Sequence, residues 1–429
     1  MAAADALPLA VAAALAAAAR RAIMDAQQIT HAAAQSIAGR SGDGLAAVLR
    51  LDLGNAVLAQ QLSSGGGIEA MCAQALEEPY DEMLLEHFYF VRAMHAGDCV
   101  TAYGHQERVV SCFQARFARD DAWALPAMHV INLDLRLAAL QADRQLVAKG
   151  SKGEKLEAAA RVLNKSFQIT VTDRAELSVS KKWGALHVIN NLFKIYFELN
   201  NLRLCQNLIR AVEGPGFPRA IDGETVAGRR FPVAQLVTYK YFVGRLSMLN
   251  SQVVKAAAEL QFAFDRCPRG AAKNKRLILR YLVPVRMVLG SFASEALLQK
   301  YRLPFFVALC RAVHRGDLAA FERELTAHQQ LFIRHGSYLL VERAKIITYR
   351  NFFRRIHELD PQANKMDIGK FRRCLQATGT EMDADEIECV LANLIYSGYL
   401  KGYISHQHGK LVVSKGVAFP PLSEVSAGS

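Results

Sequence analysis

The spacing of the apolar residues is the feature that most constrains this fold. From Ile68 onward, apolar side chains recur every three or four positions, which is the period of an α-helix with one buried face. Val253, Ala257, Leu260 and Phe264 form one such stripe. The chain is therefore expected to be mainly α-helical over most of its length.

Several of these apolar runs begin just after a short polar turn, as in "HAGD", "LNN", "LNS" and "HRGD". Asp, Asn and Ser are typical of helix starts, so the turns indicate helix hairpins stacked side by side. Their spacing is uneven and no 34-residue signature recurs. We therefore predict an irregular helical solenoid over residues 71–340 that resembles tetratricopeptide arrays.

Near the C-terminus the apolar period changes from about four to two. Residues 387–395 keep the helical spacing, and Gly398 is expected to end that helix. The stretch "GYLKGYISHQHGKLVVSK" then alternates like a hairpin, with its turn near Gly409. Because an isolated hairpin is marginal in water, it should pack on the helices "LLVERAKIITYRNFFRRIHEL" and "DIGKFRRCLQAT". Together these segments predict a winged helix over residues 341–425.

Two Gly-rich segments interrupt the helical pattern. Residues 39–67 are predicted to be a loop or linker within a variable N-terminal region, residues 1–70. Residues 213–232, with three prolines and four glycines, are predicted to be a long surface loop that can be disordered. The Ala-rich start favours a helix over a signal peptide, since Asp5 precedes its apolar run; a transit peptide is the alternative. That run is also too short to span a membrane.

Charge and cysteine usage narrow the class of protein. Lys and Arg outnumber Asp and Glu by 52 to 40, which gives a net charge of +12 and favours an anionic partner. The eight cysteines are scattered singly, which predicts reduced thiols in an intracellular protein. The sequence contains no phosphate-binding loop, zinc-protease motif or nucleophile elbow. His406 and His408 with Cys389 lack further ligands at metal spacing, so no metal is predicted.

Basic residues cluster in the last third of the chain, where they are candidates for phosphate contacts. Tyr399, Tyr403 and Phe371 lie among them and are candidates for stacking on bases. A solvated charged face is the alternative for the same residues. The candidate nucleic-acid ligands are Arg350, Arg354, Arg355, Lys370, Arg372, Arg373, Lys401, Lys410 and Lys415, with Arg343 and Lys345 beside them.

A second basic stretch, "RCPRGAAKNKRLILRYLVPVR", suits an acidic partner. Its candidate contacts are Lys273, Lys275, Arg276 and Arg280, although helix capping and ordinary surface charge explain the same residues. Pro284 inside this stretch predicts a kinked helix. Trp183 and Trp123 adjoin apolar helices and are predicted to anchor the core.

A helical solenoid capped by a winged helix resembles the PCI domain, expected here over about residues 228–418. The stretches "DDAWALPAMHVINLDLRL", "SKKWGALHVINNLFKIYFELN", "KNKRLILRYLVPVRM" and "LANLIYSGYLKGYISHQHGKLVVSK" extend the likeness. They resemble the PCI domain-containing protein 2 family, which provides the PCI subunit of the transcription-coupled nuclear mRNA export complex (TREX type 2) and is similar to COP9 signalosome subunit 12. Residues 1–70 and the length of the loop 213–232 depart from this pattern.

The resemblance implies a non-enzymatic scaffold subunit without cofactors. Its implied partners are a GANP-type scaffold PCI protein, a small acidic DSS-type peptide, and RNA or DNA bound without sequence specificity. The implied location is the nucleus, at or near the nuclear pore, with no membrane contact. The alternative is a purely structural PCI subunit of a signalosome- or proteasome-lid-like assembly, whose wing lysines are buried in a subunit interface.

Overall fold

A computed structural model describes residues 24–50, 55–64, 67–360 and 364–425 of the chain. The predicted Ala-rich helix at the N-terminus lies outside these residues. The chain divides into two compact units between Tyr239 and Lys240, and we call them the N-terminal and C-terminal units. In the described residues, no helix is both long and apolar enough to cross a bilayer.

The N-terminal unit is built from successive helices that pack on their chain neighbours, as the repeated polar turns predicted. At one such turn, the Asp98 carboxylate accepts a hydrogen bond from the Thr101 backbone N–H and so starts the following helix. The helices are α1 (Ala26–Ala38), α2 (Gly42–Val48), α3 (Ala56–Ser64), α4 (Ile68–Ala75), α5 (Tyr80–His95), α6 (Cys99–Phe117), α7 (Leu125–Ala148), α8 (Lys155–Val171), α9 (Ala185–Glu198), α10 (Arg203–Glu213) and the first part of α11 (Val233–Leu249), with 3₁₀ turns at Ala122–Ala124, Lys181–Gly184 and Arg219–Asp222.

The predicted linker over residues 39–67 is largely helical, so that prediction is wrong for α2 and α3. Two of its glycines, Gly42 and Gly44, are closely packed. A Cβ on Gly42 would lie 1.9 Å from the carbonyl oxygen of Trp123 and 2.9 Å from Cδ of Pro126. Gly42 is therefore required by the approach of two backbones.

Replacing Gly42 with alanine should lower the free energy of unfolding by about 2 kcal/mol, because the α2 backbone must move to make room. The matched control is Gly104→Ala in the interior of α6, where a Cβ meets no atom within 4 Å. That change should stabilise the protein by about 0.5–1 kcal/mol through reduced backbone entropy of the unfolded chain. Urea unfolding of both variants checks the pair, and equal effects would contradict the packing argument.

The segment 213–232 is a loop as predicted, but its aromatic residues lie in the interior. Phe217 and Phe231 are buried with their ring centroids 6.0 Å apart, and the Trp183 ring lies 4.9 Å from Phe231. The expectation of a disordered surface loop is therefore wrong. The core role of Trp183 is confirmed, whereas Trp123 is only half-buried.

The C-terminal unit begins with helix pairs and ends in the winged helix. Helix α13 contains Pro284 in its interior. The remaining elements are α12 (Val253–Arg266), α13 (Ala272–Val288), α14 (Glu295–Lys300), α15 (Phe305–Arg315), α16 (Leu318–Ala327), α17 (Gln329–His335), α18 (Tyr338–Glu358), β1 (Lys365–Asp367), α19 (Ile368–Ala377), α20 (Ala384–Tyr396), β2 (Gly402–Ser405), a 3₁₀ turn (His406–His408), β3 (Lys410–Val413) and α21 (Leu422–Val425).

The predicted winged helix is present, with one strand more than expected. Strands β2 and β3 form the predicted hairpin, and the short strand β1 pairs antiparallel with β3, so the sheet order is β1-β3-β2. Asp383 and Glu386 form a capping box at the start of α20, and Gly398 follows its end in the left-handed conformation. The sheet packs on α18, α19 and α20 around a core that includes Phe353, Phe371, Leu391 and Leu411.

Candidate nucleic-acid interface

The outer face of the sheet carries basic and aromatic side chains in register. Lys365 of β1 lies opposite Val412 of β3, which in turn lies opposite Tyr403 of β2. Met366 and Leu411, the next residues along their strands, are buried, so the strand alternation turns Lys365 and Tyr403 to solvent. Tyr403 is 62% exposed. This face therefore offers an aromatic surface beside an exposed lysine.

Lys410 lies in the adjacent row of the same face, opposite Asp367 and Ser405. We define the wing as residues 402–413. Lys401 and Lys415 lie just outside its other end, and together with Lys410 we call them the wing lysines. There the Ser414 N–H donates to the carbonyl of Lys401 at 2.9 Å. All three predicted wing lysines are exposed, and the ion pairs found in the described residues involve none of them.

Helix α19 separates its basic residues from its apolar ones. Its buried side consists of Ile368, Phe371 and Leu375, while Arg372 and Arg373 are exposed and Lys370 is half-buried. The prediction that Phe371 stacks on bases is wrong, because its ring is fully buried and lies 5.1 Å from that of Phe353.

Arg350 is also not a surface cation, and its prediction as a phosphate ligand is wrong. Its side chain is buried, with 3% of the residue exposed. The guanidinium donates to the Pro420 carbonyl at 2.7 Å, to the Phe419 carbonyl at 3.3 Å and to Oδ1 of Asn351 at 2.8 Å. Burial lowers the pKa of Arg350 to about 10. Arg350 therefore ties α18 to the segment after the wing.

The other cations of α18 divide between paired and unpaired positions. Arg354 forms an ion pair of 2.6 Å with Glu358 one turn later, and Lys345 pairs with Glu322. Arg355 is exposed and takes part in none of the ion pairs of the described residues. Arg355 is therefore accessible to a phosphate, and so is Arg343, which is also exposed on α18 and takes part in none of these ion pairs.

A cleft of about 1090 Å³ lies between α18, α20 and the last residues of the described chain. It brings the predicted cations Arg343, Lys345 and Lys401 together with Tyr399 and Tyr396. Tyr396 is 92% exposed, and burial raises the pKa of Tyr399. Glu342 and Glu424 also line this cleft, so its walls are mixed in charge.

The comparison with known proteins agrees with this architecture. The PCI domain profile matches residues 325–415, which include the winged helix. The chain is 45% identical to "PCI domain-containing protein 2" of Xenopus laevis over 83% of this chain and 88% of that protein. The homologue of the same name in Drosophila melanogaster is 39% identical over the same shares. "Protein CSN12 homolog" of Mycosarcoma maydis is 32% identical over 92% of this chain and 95% of its own.

The chain belongs to the PCI domain-containing protein 2 family. The resemblance drawn from the sequence is therefore confirmed, as is the mainly helical fold with a C-terminal winged helix. The PCI domain is a scaffold-type domain, which supports a role as a complex subunit.

The second basic stretch of this PCI protein is only partly accessible. Lys273 is exposed, but Lys275 is buried: its Nζ donates to the Phe264 carbonyl at 2.8 Å and lies 4.3 Å from the centre of that ring. The prediction of Lys275 as a partner contact is therefore wrong, because its charge caps α12 from within. Arg276 and Arg280 are half-buried on α13.

The two histidines of the wing turn serve local contacts in this PCI protein. His406 Nδ1 lies 2.7 Å from a carboxylate oxygen of Glu388, and this hydrogen bond raises the pKa of His406. In the residues that the structure describes, no three His, Cys, Asp or Glu side chains are grouped closely enough to share a metal ion. All eight cysteines are unpaired thiols.

Sequence reasoning missed three surface residues of this PCI protein. Lys365 belongs to a strand too short to show a periodic pattern. Tyr396 is the last residue of its helix, and the sequence pattern did not mark it as a surface residue. Arg302 follows a six-residue helix and stands far from Arg276 and Arg280 in the chain, although their charges interact in the fold. A search for aromatic residues beside cations would have found Tyr396.

Proposed function

We propose that this PCI protein is a non-enzymatic scaffold subunit of a nuclear mRNA export complex whose winged helix contributes a surface for RNA or DNA. One observation carries the proposal: the exposed rings of Tyr396 and Tyr403 stand among exposed lysines on the same domain. Rings of this kind stack on bases of any sequence, and Lys contacts to phosphate add affinity without base specificity.

The mechanism is electrostatic and geometric. The sheet face and α19 present cations whose positions are fixed by the buried sides of the same elements. A single strand that follows these cations would release counterions and place bases on the tyrosines. Binding should therefore weaken steeply as salt rises and should show little preference for sequence.

The proposal also includes the partners implied by the family. A GANP-type scaffold PCI protein and a small acidic DSS-type peptide would complete the complex, which we place in the nucleus at or near the nuclear pore. This assignment rests on membership of the family, with 45% identity to the Xenopus laevis protein and 39% to the Drosophila melanogaster homologue.

A purely structural subunit remains the second candidate because apolar side chains are also exposed in the winged helix. Leu359 at the end of α18 and Val417 after β3 are both exposed, and such residues suit a protein interface. In that case Lys401, Lys410 and Lys415 would be covered by another subunit.

The test compares wing lysines with other exposed cations of the same unit. We expect Lys401→Glu, Lys410→Glu and Lys415→Glu together to weaken binding of a generic single-stranded RNA at least tenfold, because three phosphate contacts are replaced by repulsion. The control reverses Arg269, Arg286 and Arg315, which are exposed outside the winged helix. Affinity is measured by fluorescence anisotropy, with the protein alone and in complex with its partners.

Assembly of the complex, followed by size-exclusion chromatography, separates the two candidates. RNA binding that falls in the wing variant alone, with assembly intact, supports the nucleic-acid surface. A wing variant that fails to assemble while RNA affinity stays equal to that of the control supports the structural subunit and contradicts the proposal.

A further inference from the structure

Three arginines of the C-terminal unit lie near enough for their charges to interact. Arg276 and Arg280 lie one turn apart on α13, and Arg302 follows α14. In the described part of the chain, no ion pair joins any of the three to a carboxylate. Burial and the charges of Arg280 and Arg302 lower the pKa of Arg276, so the three charges act on one another.

Three nitrogen atoms at this cluster are buried. The Nε atoms of Arg276 and Arg280 and the Nδ1 atom of His335 are shielded from solvent and have no hydrogen-bond partner among the described residues. Burial, with the charges of Arg280, Arg245 and Arg276, lowers the pKa of His335 to about 4. The ring therefore stays neutral near pH 7 and adds no charge to the three arginines.

Two other buried cations of the same unit donate hydrogen bonds to carbonyls of the protein. Lys275 donates to the carbonyl of Phe264, and Arg350 donates to the carbonyls of Phe419 and Pro420. Those contacts show how the fold normally accommodates a buried charge. Arg350 also has a buried Nε without a partner, but its terminal nitrogens donate to three acceptors of the protein. The arginine cluster differs because no hydrogen bond of the described residues involves any of its three guanidinium groups, which points to a ligand.

We propose that Arg276, Arg280 and Arg302 bind the phosphate group of a small phosphorylated ligand. A phosphate carries close to two negative charges and several acceptor oxygens, whereas a single carboxylate carries one charge and two oxygens. Three guanidinium groups match the phosphate better, because each is a planar fork that can donate two parallel hydrogen bonds. This site lies outside the winged helix and does not depend on the RNA surface proposed above.

The test uses inorganic pyrophosphate and a phosphoserine peptide as probes in phosphate-free buffer. Saturating pyrophosphate should raise the Tm of the full-length protein by about 2 °C or more. The double variant Arg276→Gln, Arg280→Gln should lose this shift, while Arg286→Gln, an exposed position on the same helix, should keep it. Isothermal titration calorimetry then gives Kd, and we expect at least a tenfold loss of affinity in the double variant.

Stability without ligand distinguishes a binding site from a structural one. If the arginines repel one another, the ligand-free double variant should melt at the same temperature as the native protein or higher. A lower Tm would show that the arginines stabilise the fold and would overturn the proposal. So would a pyrophosphate shift that persists in the double variant, or no shift in the native protein.

Comparing the phosphoserine peptide with pyrophosphate identifies the source of the phosphate. Tight binding of the phosphoserine peptide, but not of its serine counterpart, assigns the site to a modified side chain, whereas stronger binding of pyrophosphate assigns it to a free small molecule. A glutamate-rich peptide or RNA that needs these arginines while neither phosphate probe binds would contradict the proposal.

Discussion

Replacing Arg350 with alanine should lower the free energy of unfolding of the C-terminal unit by about 3 kcal/mol or more. The change removes a buried guanidinium and leaves the carbonyls of Phe419 and Pro420 without a donor in the interior. It also releases Asn351, whose Oδ1 accepts from Arg350 while its Nδ2 donates to the Val313 carbonyl at 2.8 Å. The loss of this network should loosen the segment that follows the wing.

Arg354→Ala is the matched control, because it removes the same side chain from the same helix one turn later. Arg354 is exposed and makes an ion pair with Glu358 that should contribute about 0.5 kcal/mol or less. Urea unfolding followed by circular dichroism measures both variants. Equal destabilisation by the two changes would contradict the structural role assigned to Arg350.

Acid should destabilise the N-terminal unit through a stacked pair of histidines. The rings of His129 on α7 and His187 on α9 lie 4.2 Å apart, and the Nε2 atoms of both are buried without a hydrogen-bond partner in the described residues. Burial lowers the pKa of His129 to about 4. Burial and the charge of His129 hold the pKa of His187 well below its usual value.

The direction of the pH effect follows from these pKa values. Between about pH 6.5 and pH 4 the unfolded chain binds protons that the folded histidines do not, so stability is complete above pH 6.5 and falls as the pH drops. For His129 alone the loss should reach about 3 kcal/mol at pH 4. Protonation of both rings would place two positive charges face to face.

Urea unfolding at pH 7.5, 6.0 and 5.0 measures this loss. The double variant His129→Phe, His187→Phe should lose less stability on acidification than the native protein. His406→Gln is the control: Glu388 raises the pKa of this exposed histidine, so its small contribution disappears as the pH rises. Equal acid sensitivity of the native protein and the double variant would contradict the prediction.

The winged helix was predictable because its signals are local. The change of apolar period and Gly398 each report on a few adjacent residues, and the structure agrees with both. Strand β1 was not predictable, since it contains three residues and only one of them, Met366, is buried. Its pairing with β3 joins segments more than forty residues apart.

The roles of individual cations were less predictable than the fold. Arg350 and Arg354 look alike in the sequence, yet the first is buried by contacts with carbonyls about seventy residues away. Lys275 was likewise hidden by a carbonyl of the preceding helix. Gly42 resembled a linker residue, although the Trp123 backbone lies so close that a side chain at position 42 would not fit. Contacts between distant segments decide each of these cases, and the sequence pattern does not contain them.

The salt dependence of RNA binding tests the central claim most directly. For single strands, the slope of log affinity against log salt falls by about 0.7 for each phosphate contact. Changing Lys401, Lys410 and Lys415 to glutamine should therefore make the slope shallower by about 2, compared with the native protein over the same salt series. A slope that does not change would show that these lysines make no phosphate contacts and would contradict the account of the winged helix as a nucleic-acid surface.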